Sequence, residues 1–186
     1  MENKHSKTAK SSETTITELM IPSFANFGGK IHGGILLSLM DKVAYATATK
    51  HSGAYCVTVS VDTVDFLQPV EVGDLVSLHG RVNYVGRSSM VIGIKVIAEN
   101  VKQGSVKHTN TSYFTMVAKD DDGNLEEVPT LILESKDEVR RFVEAITRKE
   151  LKFSQQAEMD KAKSQMNLVT AIQLLENQRC EIKLPD

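Results

Sequence analysis

The groups able to do chemistry are concentrated in one stretch, Asn26 to Asp41. It holds one side-chain amide, Asn26, four glycines (Gly28, Gly29, Gly33 and Gly34) and a carboxylate, Asp41, in an otherwise apolar run. The spacing predicts a glycine-rich turn, then a helix that begins at Gly33 and Gly34 and runs to about Lys50. The first N–H groups of a helix lack partners inside it and carry the positive end of its dipole. Glycine there lets a ligand approach the backbone closely, so an oxygen acquiring negative charge would be well received. Asp41 lies two turns on, about 10–12 Å along the axis. Ile35, Leu36, Leu39, Met40, Val43, Ala44, Ala46 and Ala48 leave few polar positions, so the helix is expected to be buried nearly all round. A carboxylate in such a setting needs a partner or a task. As a task it could take a proton from water as general base, or attack a carbonyl as nucleophile. A helix cap or a satisfied core Asp is the plain alternative, as a turn residue is for Asn26.

The rest of the chain must hold that stretch in place. Residues 1–13 are polar and expected to be disordered. Thr14 to Met20 reads as a first strand, broken at Ile21-Pro22-Ser23. Gly53 is placed to cap the helix end. Cys56 to Asp62 alternates Val57, Val59 and Val61 with polar residues, the period of a strand whose valines are expected to face the helix. Leu75 to Tyr84, Met90 to Val101 and Ser105 to Ala118 read as long strands joined by turns. In the last, Val106, His108, Asn110, Ser112, Phe114 and Met116 share one alternation. Asp120 to Gly123 is a hairpin-type turn, with Glu126 to Pro129 as a short return strand. One helix followed by a meander of antiparallel strands implies an α+β domain over residues 14–134. Residues 135–186 form a helical C-terminal extension. It opens on a capping box, Ser135 with Glu138. Val139, Phe142, Val143 and Ile146 follow at helical spacing, and a second helical pattern runs from about Ser154 to Asn177.

With 186 residues the chain suffices for one domain and an appendage. A net charge of −2 and the absence of tryptophan argue against a nucleic-acid partner. No apolar run approaches the roughly 20 residues of a membrane helix. Cys56 and Cys180 have no metal or redox spacing, which suits a reducing cytoplasm. His5, His32, His51, His79 and His108 show no metal-ligand spacing. No Gly-x-Ser-x-Gly elbow or phosphate-binding loop occurs, and no metal or redox cofactor is implied.

The pattern Asn26-x-x-Gly29-x-Ile31-x-Gly33-Gly34, followed by Met40-Asp41, resembles the signature of the hotdog-fold acyl-coenzyme A thioesterases, in particular the bacterial and brain-type cytosolic acyl-CoA hydrolases. The resemblance covers roughly residues 14–150. It implies a long antiparallel sheet wrapped around one buried helix, and hydrolysis of fatty acyl-CoA to free fatty acid and CoA. Asp41 would be base or nucleophile, with the carbonyl polarised at Gly33 and Gly34. Asn26 would come from the facing subunit of a homodimer, itself expected within a homohexamer. Gly86-Arg87-Ser88-Ser89 resembles the family's coenzyme-binding turn. Arg87 offers a forked phosphate donor there, with Ser88 and Ser89 adding hydroxyls. Lys107 and Lys119 are weaker candidates for phosphate contacts. Thr58 and Ser60 lie on the strand that the family places beside the substrate. His32 stands where many members have Phe. As a base it would point to the hotdog hydratases and dehydratases instead. A non-catalytic acyl-CoA sensor is a further alternative.

Overall fold

The computed structural model describes residues 6–184. The disorder expected of residues 1–5 lies outside the described residues. In chain order the elements are β1 (Lys7–Thr8), α1 (Ala9–Ser12), β2 (Thr14–Leu19), a 3-10 turn (Pro22–Phe24), α2 (Gly33–Ser52), β3 (Tyr55–Val61), β4 (Leu75–Val85), β5 (Ser89–Asn100), β6 (Ser105–Lys119), β7 (Leu131–Ile132), α3 (Lys136–Gln165) and α4 (Leu168–Leu175). β2 to β6 form one antiparallel sheet in the order β2-β4-β5-β6-β3. The alternating apolar residues of the three long strands, with Leu78, Ile92, Ile94, Phe114 and Met116 fully buried, pack against the Leu36, Met40, Val43 and Ala44 face of α2. Each such side chain contributes about 1.5–3 kcal/mol by leaving water. Gly80 on β4 lets α2 come close. A Cβ there would lie 2.5 Å from both Val43 Cγ1 and Thr47 Oγ1. This is the curled sheet around a central helix that the hotdog fold requires.

The helix runs two residues further than Lys50 and ends at the left-handed Gly53 (φ 75°), whose N–H donates to Thr49 O at 2.8 Å. It is not buried all round. Leu37, Ser38, Asp41, Lys42 and Tyr45 form an exposed face. The valines of β3 are also placed differently. Cys56 is buried and Thr58 reaches the helix, whereas Val59 sits at a register break between Thr58 and Ser60 and is 61% exposed. Val57 pairs with Val117 on the face turned away from α2, and Val61 remains exposed at the strand end. Alternation alone leaves open which of its two faces is wanted.

The single alternation expected along β6 breaks at Thr109. Val96 pairs with Asn110 but Ile97 pairs with His108, so Thr109 is an extra residue. Val106 and His108 are exposed while Asn110, Ser112, Phe114 and Met116 are buried. A bulge of one residue transfers the following side chains to the other face. No strand spans Glu126 to Pro129. Lys119 and Leu125 make an isolated bridge, and the sequence continues to β7.

From Lys7 onward the polar start is ordered, against expectation. β1 pairs in parallel with β7, and Ala9 and Ser12 are buried. Lys7 Nζ donates to the carbonyls of Lys50 (3.0 Å) and His51 (2.8 Å), the orphan acceptors at the end of α2. The buried His51 ring places Nε2 at 3.1 Å from Pro129 O, and burial holds its pKa below the ordinary value.

The chain divides into two compact units after Ala145. The opening turns of α3 belong to the first unit because Glu138 ion-pairs with Arg81 of β4, and Phe142 packs on Tyr84 with ring centres 4.9 Å apart. The capping box forms as expected, with Glu138 N–H donating to Ser135 Oγ (3.2 Å) and Ser135 N–H to Glu138 Oε2 (2.9 Å). In the second unit α3 continues unbroken to Gln165, through the start expected for a separate helix at Ser154, and α4 is capped by the Asn167 side chain.

Candidate active site

The hairpin loop before α2 is closed by its own amide side chain. Asn26 Oδ1 accepts from the N–H of Gly28 (2.9 Å) and of Lys30 (3.2 Å), while Asn26 N–H donates to Lys30 O at 2.7 Å. This is the turn role. Among the described residues no hydrogen bond joins Asn26 to Asp41. The loop delivers His32 to the helix start, where it is the N-cap. Its Nδ1 accepts from Gly34 N–H at 3.0 Å. The bond occupies one of the two amides expected to receive a developing oxyanion. Gly33 N–H has no partner among the described residues. The Phe66 ring packs beside Gly33, 3.3 Å from where a Cβ would stand. The loop from Asp65 to Pro69 gave no sequence signal of this beyond an aromatic among turn residues. No acidic side chain occupies the first turn to quench its positive end.

Seven residues past Gly34, Asp41 points from the exposed face of α2 toward β3. Thr58 Oγ1 donates to Asp41 Oδ1 at 2.6 Å. Oδ2 has no partner among the described residues, so one oxygen is oriented and the other is open. Ser60 does not join this arrangement. Its partner across the ladder is Thr115, on the face turned away from α2.

The turn from Gly86 to Ser89 joins β4 and β5, closed by Gly86 N–H donating to Ser89 O at 2.7 Å. Its backbone is pinned from two sides, since Ser88 O accepts from Ala118 N–H and Arg87 O from Val128 N–H, each at 2.9 Å. The exposed Arg87 guanidinium makes no ion pair among the described residues. The ladders relate this turn to Asp41. Thr58 pairs with Met116, which pairs with Met90, the residue after Ser89. Two strand spacings therefore separate Thr58 from the end of the turn, about 10 Å. Lys107 lies elsewhere, its Nζ donating to Pro69 O at 3.3 Å beside the buried Asp74. Among the described residues no cluster of three or more His, Cys, Asp or Glu is placed to hold a metal ion.

Asp41 is thus oriented by Thr58, while at the helix start His32 takes Gly34 N–H and Phe66 lies against Gly33. Residues 28–105 match the family model of the thioesterase superfamily. Protein VdlD of Helicobacter pylori is 41% identical over 145 residues, which span 78% of this chain and 83% of that protein. A hexameric acyl-CoA thioesterase superposes with a TM-score of 0.79 at 36% identity, over 82% of this chain and 98% of that one. The chain belongs to the hotdog acyl-CoA thioesterases. The acyl-CoA hydrolase of Staphylococcus aureus, solved with butyryl-CoA and CoA, is a further neighbour, with a TM-score of 0.76, 31% identity and coverage of 85% of this chain and 96% of that one. The α+β hotdog architecture and an enzyme that hydrolyses acyl-CoA thioesters are thereby established for this thioesterase.

Proposed function

We propose that hydrolysis runs through Asp41 as general base. The supporting observation is the Thr58 hydroxyl on Asp41 Oδ1, which leaves Oδ2 to bind and deprotonate a water. The hydroxide formed adds to the thioester carbonyl. The oxygen of that carbonyl, gaining charge, takes the N–H groups of Gly33 and Gly34. The intermediate collapses by breaking the C–S bond, and protonated Asp41 returns its proton to the departing thiolate. Free fatty acid and CoA leave. In this reading the substrate oxygen displaces the His32 ring from Gly34, so His32 lines the substrate site as a cap rather than acting as base.

Arg87, with the hydroxyls of Ser88 and Ser89, binds phosphate of the CoA moiety on the pinned turn. Thr58 orients the base and borders the substrate. The same reading makes Asn26 a contribution from a second subunit, whose Nδ2 is left over once Oδ1 has closed its own turn. A homodimer would cover the exposed face of α2 around Asp41, and a hexamer is the assembly named for one structural neighbour. No helix among the described residues is long and apolar enough to cross a membrane, and we place the enzyme in the cytoplasm.

The test is release of free thiol from a panel of acyl-CoAs of graded chain length. Asp41→Asn is expected to lower kcat by about 10²–10⁴-fold while leaving the melting temperature unchanged. A folded variant that keeps full hydrolysis would overturn the mechanism.

A further inference from the structure

The face of the sheet turned away from α2 carries a second built site. Gly93 sits in the middle of β5, between Arg81 on β4 and Tyr113 on β6. Side chains on that face stand around a missing one. Glycine inside a central strand often marks a close approach by something else. Here the register of β4 breaks between Val82 and Tyr84, so Asn83 is an extra residue. Its amide swings over the glycine, with Nδ2 2.3 Å from the position of a Gly93 Cβ. Asn83 is only 3% exposed, yet its Oδ1 has no hydrogen-bond partner among the described residues. A buried amide acceptor left unpaired costs about 1–3 kcal/mol, and it lines a cavity of about 420 Å³. That volume falls within the range of about 300–1,000 Å³ of small-molecule sites.

The walls offer many cationic N–H donors rather than a net charge, because four carboxylates balance the four cations. Arg81, Lys95, Arg140 and Arg141 line the cavity against two carboxylates, Glu13 and Glu144. Glu13 lies 3.2 Å from Arg81 Nε, and Glu144 takes Arg140 Nη1. Behind the wall Glu138 holds Arg81, and Asp137 holds both Arg140 and Arg141. These pairs fix the guanidinium planes without exhausting them. Each guanidinium has five N–H donors and one carboxylate engages at most two. Lys95 makes no ion pair among the described residues. Beside it on the strand ladder is His79, bonded to Thr15 Oγ1 at 3.0 Å. We propose that this cavity binds a small oxyanion, a phosphorylated or polycarboxylated metabolite, at a site separate from the CoA turn. Lys95 and the guanidinium edges receive the charge, and the Asn83 amide receives a hydroxyl or N–H of the ligand.

Titration calorimetry on the full chain tests this with two probes, inorganic pyrophosphate and citrate, which separate phosphate from carboxylate recognition. Saturable binding of at least one probe is expected, at one site per chain. It should weaken at least tenfold in Lys95→Gln and persist in Arg87→Gln, with acyl-CoA hydrolysis by Lys95→Gln unchanged. Gly93→Ala, which drives a methyl into the Asn83 amide, should abolish binding. If that variant does not fold, Lys95→Gln alone decides. No saturable binding of either probe overturns the site, as does binding that survives Lys95→Gln or is lost in Arg87→Gln.

Discussion

Thr58 Oγ1 holds Asp41 Oδ1 at 2.6 Å, across the gap between β3 and α2. Among the described residues it is the one hydrogen bond to the carboxylate, and it joins the edge strand to the helix that starts at the glycines. Both groups are solvent-exposed, so the bond orients the carboxylate more than it stabilises the fold.

Thr58→Val should therefore keep the shape of the side chain and lose that orientation. The expected result is a fall in kcat of about tenfold or more, with KM and melting temperature nearly unchanged, and recovery in Thr58→Ser. Steady-state thiol release together with thermal unfolding makes the check. A kcat unaffected by Thr58→Val would show that Asp41 is positioned by something else.

His32 offers a test of a different kind, because its imidazole stands on the amide that the proposed mechanism assigns to the substrate oxygen. His32→Ala removes an N-cap, worth about 1 kcal/mol, so the melting temperature should drop by roughly 2–4 °C. Hydrolysis should stay within about threefold of the parent, a barrier change under ~1 kcal/mol. Loss of all turnover without that thermal shift would instead make His32 the base and bring back the hydratase reading.

Glu138 ties the start of α3 to the sheet. Burial opposes its charge, but the N–H of Glu134, the Arg81 guanidinium and the N–H of Ser135 outweigh it and hold the pKa below the ordinary 4.5. A carboxylate with a depressed folded pKa stabilises fully above its unfolded value, and that stability is lost as pH falls through the folded one. Denaturant unfolding should accordingly show stability declining as pH drops below about 4.5. Glu138→Gln should flatten that decline and lower stability at neutral pH by leaving Arg81 with Glu13 alone. Parallel stability curves for the two proteins would count against this role.

What could be read from the sequence was local or periodic. The glycine turn, the helix it starts, the capping box of Ser135 and Glu138, and the three long strands all come from chemistry within a few neighbouring residues. Thr58 and Asp41, 17 residues apart, were both singled out, but their bond depends on which face of β3 meets α2. That face was misassigned, because valines at alternate positions fit an edge strand as well as a core strand. The bulges at Thr109 and Asn83 left no mark, since one extra residue changes neither composition nor period. The pairing of Lys7 with Leu131, across most of the chain, had no local signal at all. The cap formed by His32 on Gly34 has no sequence signature, since short polar side chains and not imidazole are the usual helix N-caps.

Lys7 grips the two carbonyls at the foot of α2, and Ser12 lies beside His51. A truncated version begun at Thr14 would uncap the very helix that carries Asp41, at the end remote from the reaction. Trimming what looks like a dispensable leader would thus fray the helix that carries Asp41 from its far end.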